Sequence, residues 1–99
     1  MKVEAGKSHI HGTGLFSREA IKKGELIGQF EGRATKENDI HVLWYEEKGN
    51  WRALSVTNVL KYANHSKKPN VEVLGREMYA IRKIKKGEEI TFDYGDEWQ

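Results

Sequence analysis

Glycine falls ten times along these 99 residues and proline once, leaving no apolar stretch long enough for a large helix. Glycine supplies the backbone freedom that tight turns need and weakens helix interiors, so the chain is predicted to fold as short strands joined by many turns. Residues 25–30 read as a β-rich segment bounded by Gly24 and Gly32. Residues 41–45 and 51–56 read as the arms of a hairpin, with a longer loop over residues 46–50. A helix from about Thr35 competes with that reading, because Ile40, Leu43 and Trp44 recur at helical spacing. Aromatic and β-branched content favours the hairpin. Residues 78–84 and 89–94 add two more strands, and residues 58–61 one or two helical turns. The expected class is mostly β, in one domain spanning residues 1–99.

One pentapeptide occurs twice. Ile21-Lys22-Lys23-Gly24-Glu25 returns as Ile84-Lys85-Lys86-Gly87-Glu88, each copy leading into an apolar β segment. Read locally, these are two similar surface turns in which the glycine takes a positive φ. Two copies of five residues cannot build stacked units, so this is not a solenoid.

Composition removes several classes of function. The chain is 37% hydrophobic and 32% charged, as expected of a globular protein. It has neither an apolar run long enough to span a bilayer nor a signal-peptide core near its start, so no membrane partner is expected. Zero cysteines exclude disulfides, zinc–cysteine clusters and a thiol nucleophile. They also suit a reducing cytoplasm, or a nucleus in a eukaryote. With 17 basic and 15 acidic residues the net charge is only +2, which weakly suggests nucleic acid. Lys22, Lys23, Lys67, Lys68, Lys83, Lys85 and Lys86 sit mainly in turns and read as a solvated surface.

Chemistry-bearing residues gather in a few segments. Gly12-Thr13-Gly14-Leu15-Phe16 spaces two glycines so that backbone amides can approach a ligand. It lacks the lysine and hydroxyl of a phosphate-binding loop, and a plain glycine-rich turn is the default. Asn64-His65-Ser66, followed by Pro69-Asn70, reads as a structured loop emerging from the core. His65 there is a hydrogen-bond hub first, and a base or ligand second. Asp93 and Tyr94 close the last strand, and a tyrosine hydroxyl can orient an amine although it accepts protons weakly. His9 and His11 would share one face of a strand, but no third ligand joins them and no metal is expected.

In chain order, residues 12–16, residues 21–25 running on to Phe30-Glu31-Gly32, Asn64-His65-Ser66 with Pro69-Asn70, and residues 87–95 resemble the SET domain. That is the family of protein lysine methyltransferases. The similarity covers almost the whole chain and is weakest between Arg33 and Val59. It implies a β-clip-like fold of small curved sheets with a knot-like C-terminal threading. It also implies S-adenosylmethionine as methyl donor, no metal, and a protein or peptide substrate carrying a target lysine. Histones are the familiar targets, and other basic proteins are alternatives.

Residue by residue, the resemblance brings Gly12, Thr13, Gly14, Leu15 and Phe16 against the donor, with Tyr62, Asn64 and His65. Lys61 stands where the family often has arginine, and would hold the donor carboxylate more loosely for lack of a bidentate fork. Tyr94 matches the active-site tyrosine, which also touches the donor, and Trp98 would stack on the adenine. Phe30, Phe92 and Tyr94 would line the lysine channel. Phe92 leaves room for di- or trimethylation where tyrosine restricts the product. Phe30 replaces the tyrosine of the family's Tyr-x-Gly and removes a hydroxyl that helps hold the amine. Two alternatives stand beside an enzyme: a degenerate SET module that binds the donor or a lysine-bearing peptide, and a small basic nucleic-acid-binding domain. A second copy of the chain could complete the channel, giving a homodimer.

Overall fold

Three small sheets, rather than one large one, organise the chain in a computed structural model that describes residues 1–37 and 41–95. The first runs in the order β1 (Val3–Lys7), β2 (Thr13–Ser17), β10 (Glu89–Phe92), β7 (Asn64–His65). The second orders β3 (Leu26–Gln29), β9 (Glu77–Ala80) and β8 (Val71–Leu74). The third orders β4 (Gly32–Thr35), β6 (Asn50–Val56) and β5 (Val42–Glu47). Among the described residues the helical content is one 3-10 turn, Val59–Tyr62. Where the sheets meet they bury Leu15, Ile21, Leu60, Met78, Ile84 and Ile90, each at 1% exposure or less. Each such side chain contributes roughly 1.5–3 kcal/mol by leaving water.

The last strand is inserted between distant parts of the chain. β10 pairs antiparallel with β2, Ile90 opposite Leu15, and parallel with β7, Thr91 opposite Asn64. Asn70, 1% exposed, clamps it from one side. Its Oδ1 accepts the Thr91 N–H at 2.9 Å, its Nδ2 donates to the Glu89 carbonyl at 2.8 Å, and its own N–H reaches the Thr91 carbonyl at 3.2 Å. Residues 64–70 thus arch over residues 89–92, which is the expected knot-like threading. A buried amide with this many partners specifies one register.

Several elements differ from the sequence reading, for local reasons. The hairpin turn contracts to Lys48-Gly49, with φ of 51° and 80°, because Glu46 and Glu47 pair with Trp51 and Asn50. Two successive left-handed residues match the twist of the flanking strands better than a loose loop does. The strand read over residues 78–84 is β9, which ends at Ala80. The supposed glycine turn at residues 12–16 is mostly β2, with Leu15 wholly buried opposite Ile90, and the supposed loop at Asn64 is β7. β1, β4 and β8 are further strands that the sequence reading lacks.

The repeated pentapeptide is more than two separate surface turns. Ile21 and Ile84, both buried, exchange backbone hydrogen bonds at 2.9 Å in each direction. Gly24 and Gly87 share a φ of 85°. The Gly24 N–H donates to Ala80 while Ala80 donates back to Glu25, and Gly87 and Glu88 make the same exchange with Ser17. Each glutamate then accepts the N–H of the first lysine of its own copy at 3.0 Å. The two copies clasp each other in a pseudo-twofold arrangement.

Candidate functional site

Adjacent residues on a strand point to opposite sides, and β7 uses this to build two polar groupings back to back. Asn64 faces the bend over residues 8–12. Its Nδ2 lies 3.0 Å from Ser8 Oγ, 3.1 Å from the His11 carbonyl, 3.4 Å from the Thr13 carbonyl and 3.1 Å from Glu89 Oε2. Ser8 braces the bend, its Oγ accepting the N–H groups of Ile10 at 2.9 Å and His11 at 3.1 Å. Gly12 in that bend has a φ of 51°. Gly14 is tight instead, since a Cβ there would lie 2.6 Å from Glu89 Oε2 and 2.9 Å from Ser8 Cβ.

On the other side, His65 meets Tyr94 and Phe92. The Tyr94 ring centroid lies 5.0 Å from that of His65 and 4.6 Å from that of Phe92. The Tyr94 hydroxyl donates to the Ala63 carbonyl at 2.7 Å. Partial burial pushes its phenol above the ordinary value of 10.0, where a phenol is already neutral near pH 7. His65 Nδ1 accepts the Tyr94 N–H at 3.0 Å. That nitrogen carries no proton in this arrangement, so the 3.8 Å approach to Asp93 Oδ1 is proximity rather than an ion pair. Asp93 is held below the usual carboxylate range, chiefly by the Gly95 N–H and further by Lys67 at 3.6 Å.

The remaining expected residues separate by exposure. Lys61 and Tyr62 lie on the 3-10 turn, the Lys61 ammonium 5.2 Å from the Tyr62 ring centroid. Thr13 is exposed at the start of β2, and Phe16 is half-buried, edge-on to His9. Leu15, at 0% exposure, is core, so its side chain meets its neighbours rather than a ligand. Phe30, expected to line the lysine channel, is 3% exposed and belongs to the core cluster. Trp98 lies outside the described residues. His9 and His11 sit in the bend, and no metal-holding group of His, Asp and Glu occurs among the described residues. Lys22, Lys23, Lys67, Lys68, Lys83, Lys85 and Lys86 are all exposed, whereas Lys61 is half-buried.

Ser8, Ala63 and Glu89 were not singled out from the sequence. A serine and a backbone carbonyl carry no motif of their own, and Glu89 looks like any acidic residue opening a strand. A cavity of about 500 Å³ lies elsewhere, on the third sheet between Trp44, Trp51, Lys36 and Arg52.

Comparison with known proteins agrees with this geometry. The family model of the SET domain matches residues 12–95. Histone-lysine N-methyltransferase trithorax of Drosophila virilis is 30% identical over 110 residues, covering 89% of this chain and 3% of its own length. A crystallised candidate histone methyltransferase of Plasmodium falciparum superimposes with a TM-score of 0.73 at 33% identity, over 98% of this chain and 96% of that one. The structure described as ctPRC2 in an autoinhibited conformation bound to S-adenosylmethionine gives a TM-score of 0.78 at 26% identity, over 97% of this chain and 15% of that one. The chain thus spans a few per cent of the trithorax relative but nearly all of the Plasmodium structure.

Proposed function

Because the chain belongs to the SET-domain family, we propose that it transfers a methyl group from S-adenosylmethionine to the side-chain amine of a lysine in a protein. The observation that carries this reading is the Tyr94 hydroxyl, fixed on the Ala63 carbonyl beside Phe92 and His65.

The donor supplies a methyl on a sulfonium, a leaving group already activated. What remains for the chain is to hold a neutral amine in line with the methyl carbon and to keep water out. The amine lone pair forms the C–N bond as the C–S bond breaks, the bonding electrons pass to sulfur, and the surplus proton leaves the methylammonium for solvent. Tyr94 suits positioning. With its proton committed to Ala63, what the phenol oxygen has to offer an amine is a lone pair. A phenol held above its ordinary value is no base at neutral pH. His65 Nδ1 is committed as well, to the Tyr94 N–H, which supports a structural hub over a general base.

The residues present fit the donor. It carries a carboxylate, an ammonium and an adenine. Lys61 offers a cation for the carboxylate, Asn64 a side-chain amide, and the bend an open approach, with no atom within 4 Å of the place a Cβ would take on Gly12. A basic protein such as a histone suits the groove of about 290 Å³ in which Glu46, Glu47 and Glu77 outnumber the single cation Arg76, beside Tyr45 and Leu74.

The test is calorimetry with S-adenosylmethionine, then radiolabelled transfer to histones and other lysine-rich proteins. Saturable binding and transfer are expected, with Tyr94→Phe lowering transfer about a hundredfold. Failure to bind the donor defeats the reading. Binding without transfer would favour a second one, a degenerate binding module.

A further inference from the structure

We infer that Glu89 is a positioning residue of the donor site, setting which way round the Asn64 amide faces. The inference rests on the proposal that this side of β7 receives S-adenosylmethionine.

Glu89 opens β10 and lays its carboxylate over Gly14, in the space that any Cβ at Gly14 would fill. Oε2 accepts the Ser8 hydroxyl at 2.6 Å and Asn64 Nδ2 at 3.1 Å, while Oε1 accepts the His9 N–H at 3.3 Å. A short O–H···O⁻ bond of this kind is charge-assisted and among the stronger ones available. Ser8 has no other use for its proton, since Ile10, His11 and Asn64 all donate to its oxygen. The carboxylate thus receives donors only, which an amide or alcohol in its place would not match.

The consequence falls on Asn64. Four oxygens surround its Nδ2, and those of Glu89, His11 and Thr13 have no hydrogen to give. The nitrogen end must face them, because the carbonyl end would meet only acceptors. Asn64 Oδ1 is therefore turned away from the ring of acceptors, as a fixed acceptor for an ammonium such as the donor carries. An amide held before the ligand arrives loses less freedom on binding. A neutral glutamine at position 89 brings one accepting oxygen to three donors and sets an NH₂ against N–H groups, loosening Asn64 by leaving the His11 and Thr13 contacts to orient it.

Glu89→Gln, nearly the same size, is the test, with Ser8→Ala as the companion should the first variant not fold. Two readings are taken. The dissociation constant for S-adenosylmethionine, by calorimetry, is expected to rise about tenfold or more, the scale of a lost bond to a charged group. In the ligand-free protein, the Asn64 side-chain amide protons should be shifted and slow to exchange in the wild type. They should lose both features in the variant, while the melting temperature stays near its original value. Unchanged donor affinity, or Asn64 amide signals indifferent to the substitution, would overturn the inference. A wild type that binds no donor overturns the function proposed above. The ligand-free Asn64 signals then decide separately whether Glu89 orients the amide.

Discussion

Phe92 and Tyr94 sit two residues apart at the end of β10, ring centroids 4.6 Å from each other, yet they differ in what they bring. Tyr94 has a hydroxyl with an assigned partner; Phe92 has only a half-buried ring. Adding a hydroxyl at Phe92 would place a second polar atom beside Tyr94, able to hold water or the amine and so to take up space that added methyl groups need. Phe92→Tyr is accordingly expected to shift the products of a lysine peptide toward monomethyl-lysine, read by mass spectrometry. An unchanged ratio of mono-, di- and trimethyl products would refute that role. At this scale the sequence was informative where a motif names a residue, as with Asn64, His65 and Tyr94. It was silent on Glu89 and Ser8, whose contact joins residues 81 positions apart and exists only once the chain has folded. It did not give the depth of Phe30, because a motif position states a residue type and not its burial, and the core closes over this ring.

Among the elements, the third sheet shows how much a single glycine can decide. Gly32 begins β4 opposite Val56, and a Cβ on it would sit on the Ser55 carbonyl oxygen, well inside contact distance. The obstacle is backbone of a paired strand, which cannot swing aside as a side chain does. Gly32→Ala should cost about 3 kcal/mol, the upper range for overpacking. That lowers the melting temperature by roughly 12 °C or more in a domain of this size, seen by calorimetric scanning. A shift of only a degree or two would show that β4 can move away from β6. The glycine of Phe30-Glu31-Gly32 thus has a packing reason independent of any ligand. Strand existence was legible wherever β-branched and aromatic residues cluster, as in β5, β6 and β10. β7 was not, being two residues long and defined by its neighbours, and β8 was missed although Val71 and Val73 alternate in it.

For the molecule as a whole, acid sensitivity should follow the paired pentapeptides. Glu25 is held below the ordinary 4.5, first by Lys2, whose ammonium bonds its carboxylate, and then by the Lys22 N–H. At Glu88 burial pushes upward, but the Lys85 N–H, the Asn70 amide and Arg82 together outweigh it and bring it below 4.5. A carboxyl whose folded value is depressed adds stability above its unfolded value, and that contribution is lost as pH falls through the folded one. The denaturant midpoint should therefore decline below about pH 4.5, and less steeply in a Glu25→Gln/Glu88→Gln double variant. Parallel pH curves for the two proteins would contradict this.

The clasp between Ile21 and Ile84 also bears on how the chain comes into being on the ribosome. β1 and β2 can pair with each other early, but β2 needs β10, Ser8 needs Glu89, and Ile21 needs Ile84, so the early third of the chain cannot complete its packing until the late third is made. Long-range pairing of this kind makes folding slow, since loop closure must precede the contacts that reward it. Neither side of β7 can be assembled by an N-terminal fragment, and synthesis stalled before residue 89 would leave apolar strands for chaperones rather than a partly working protein.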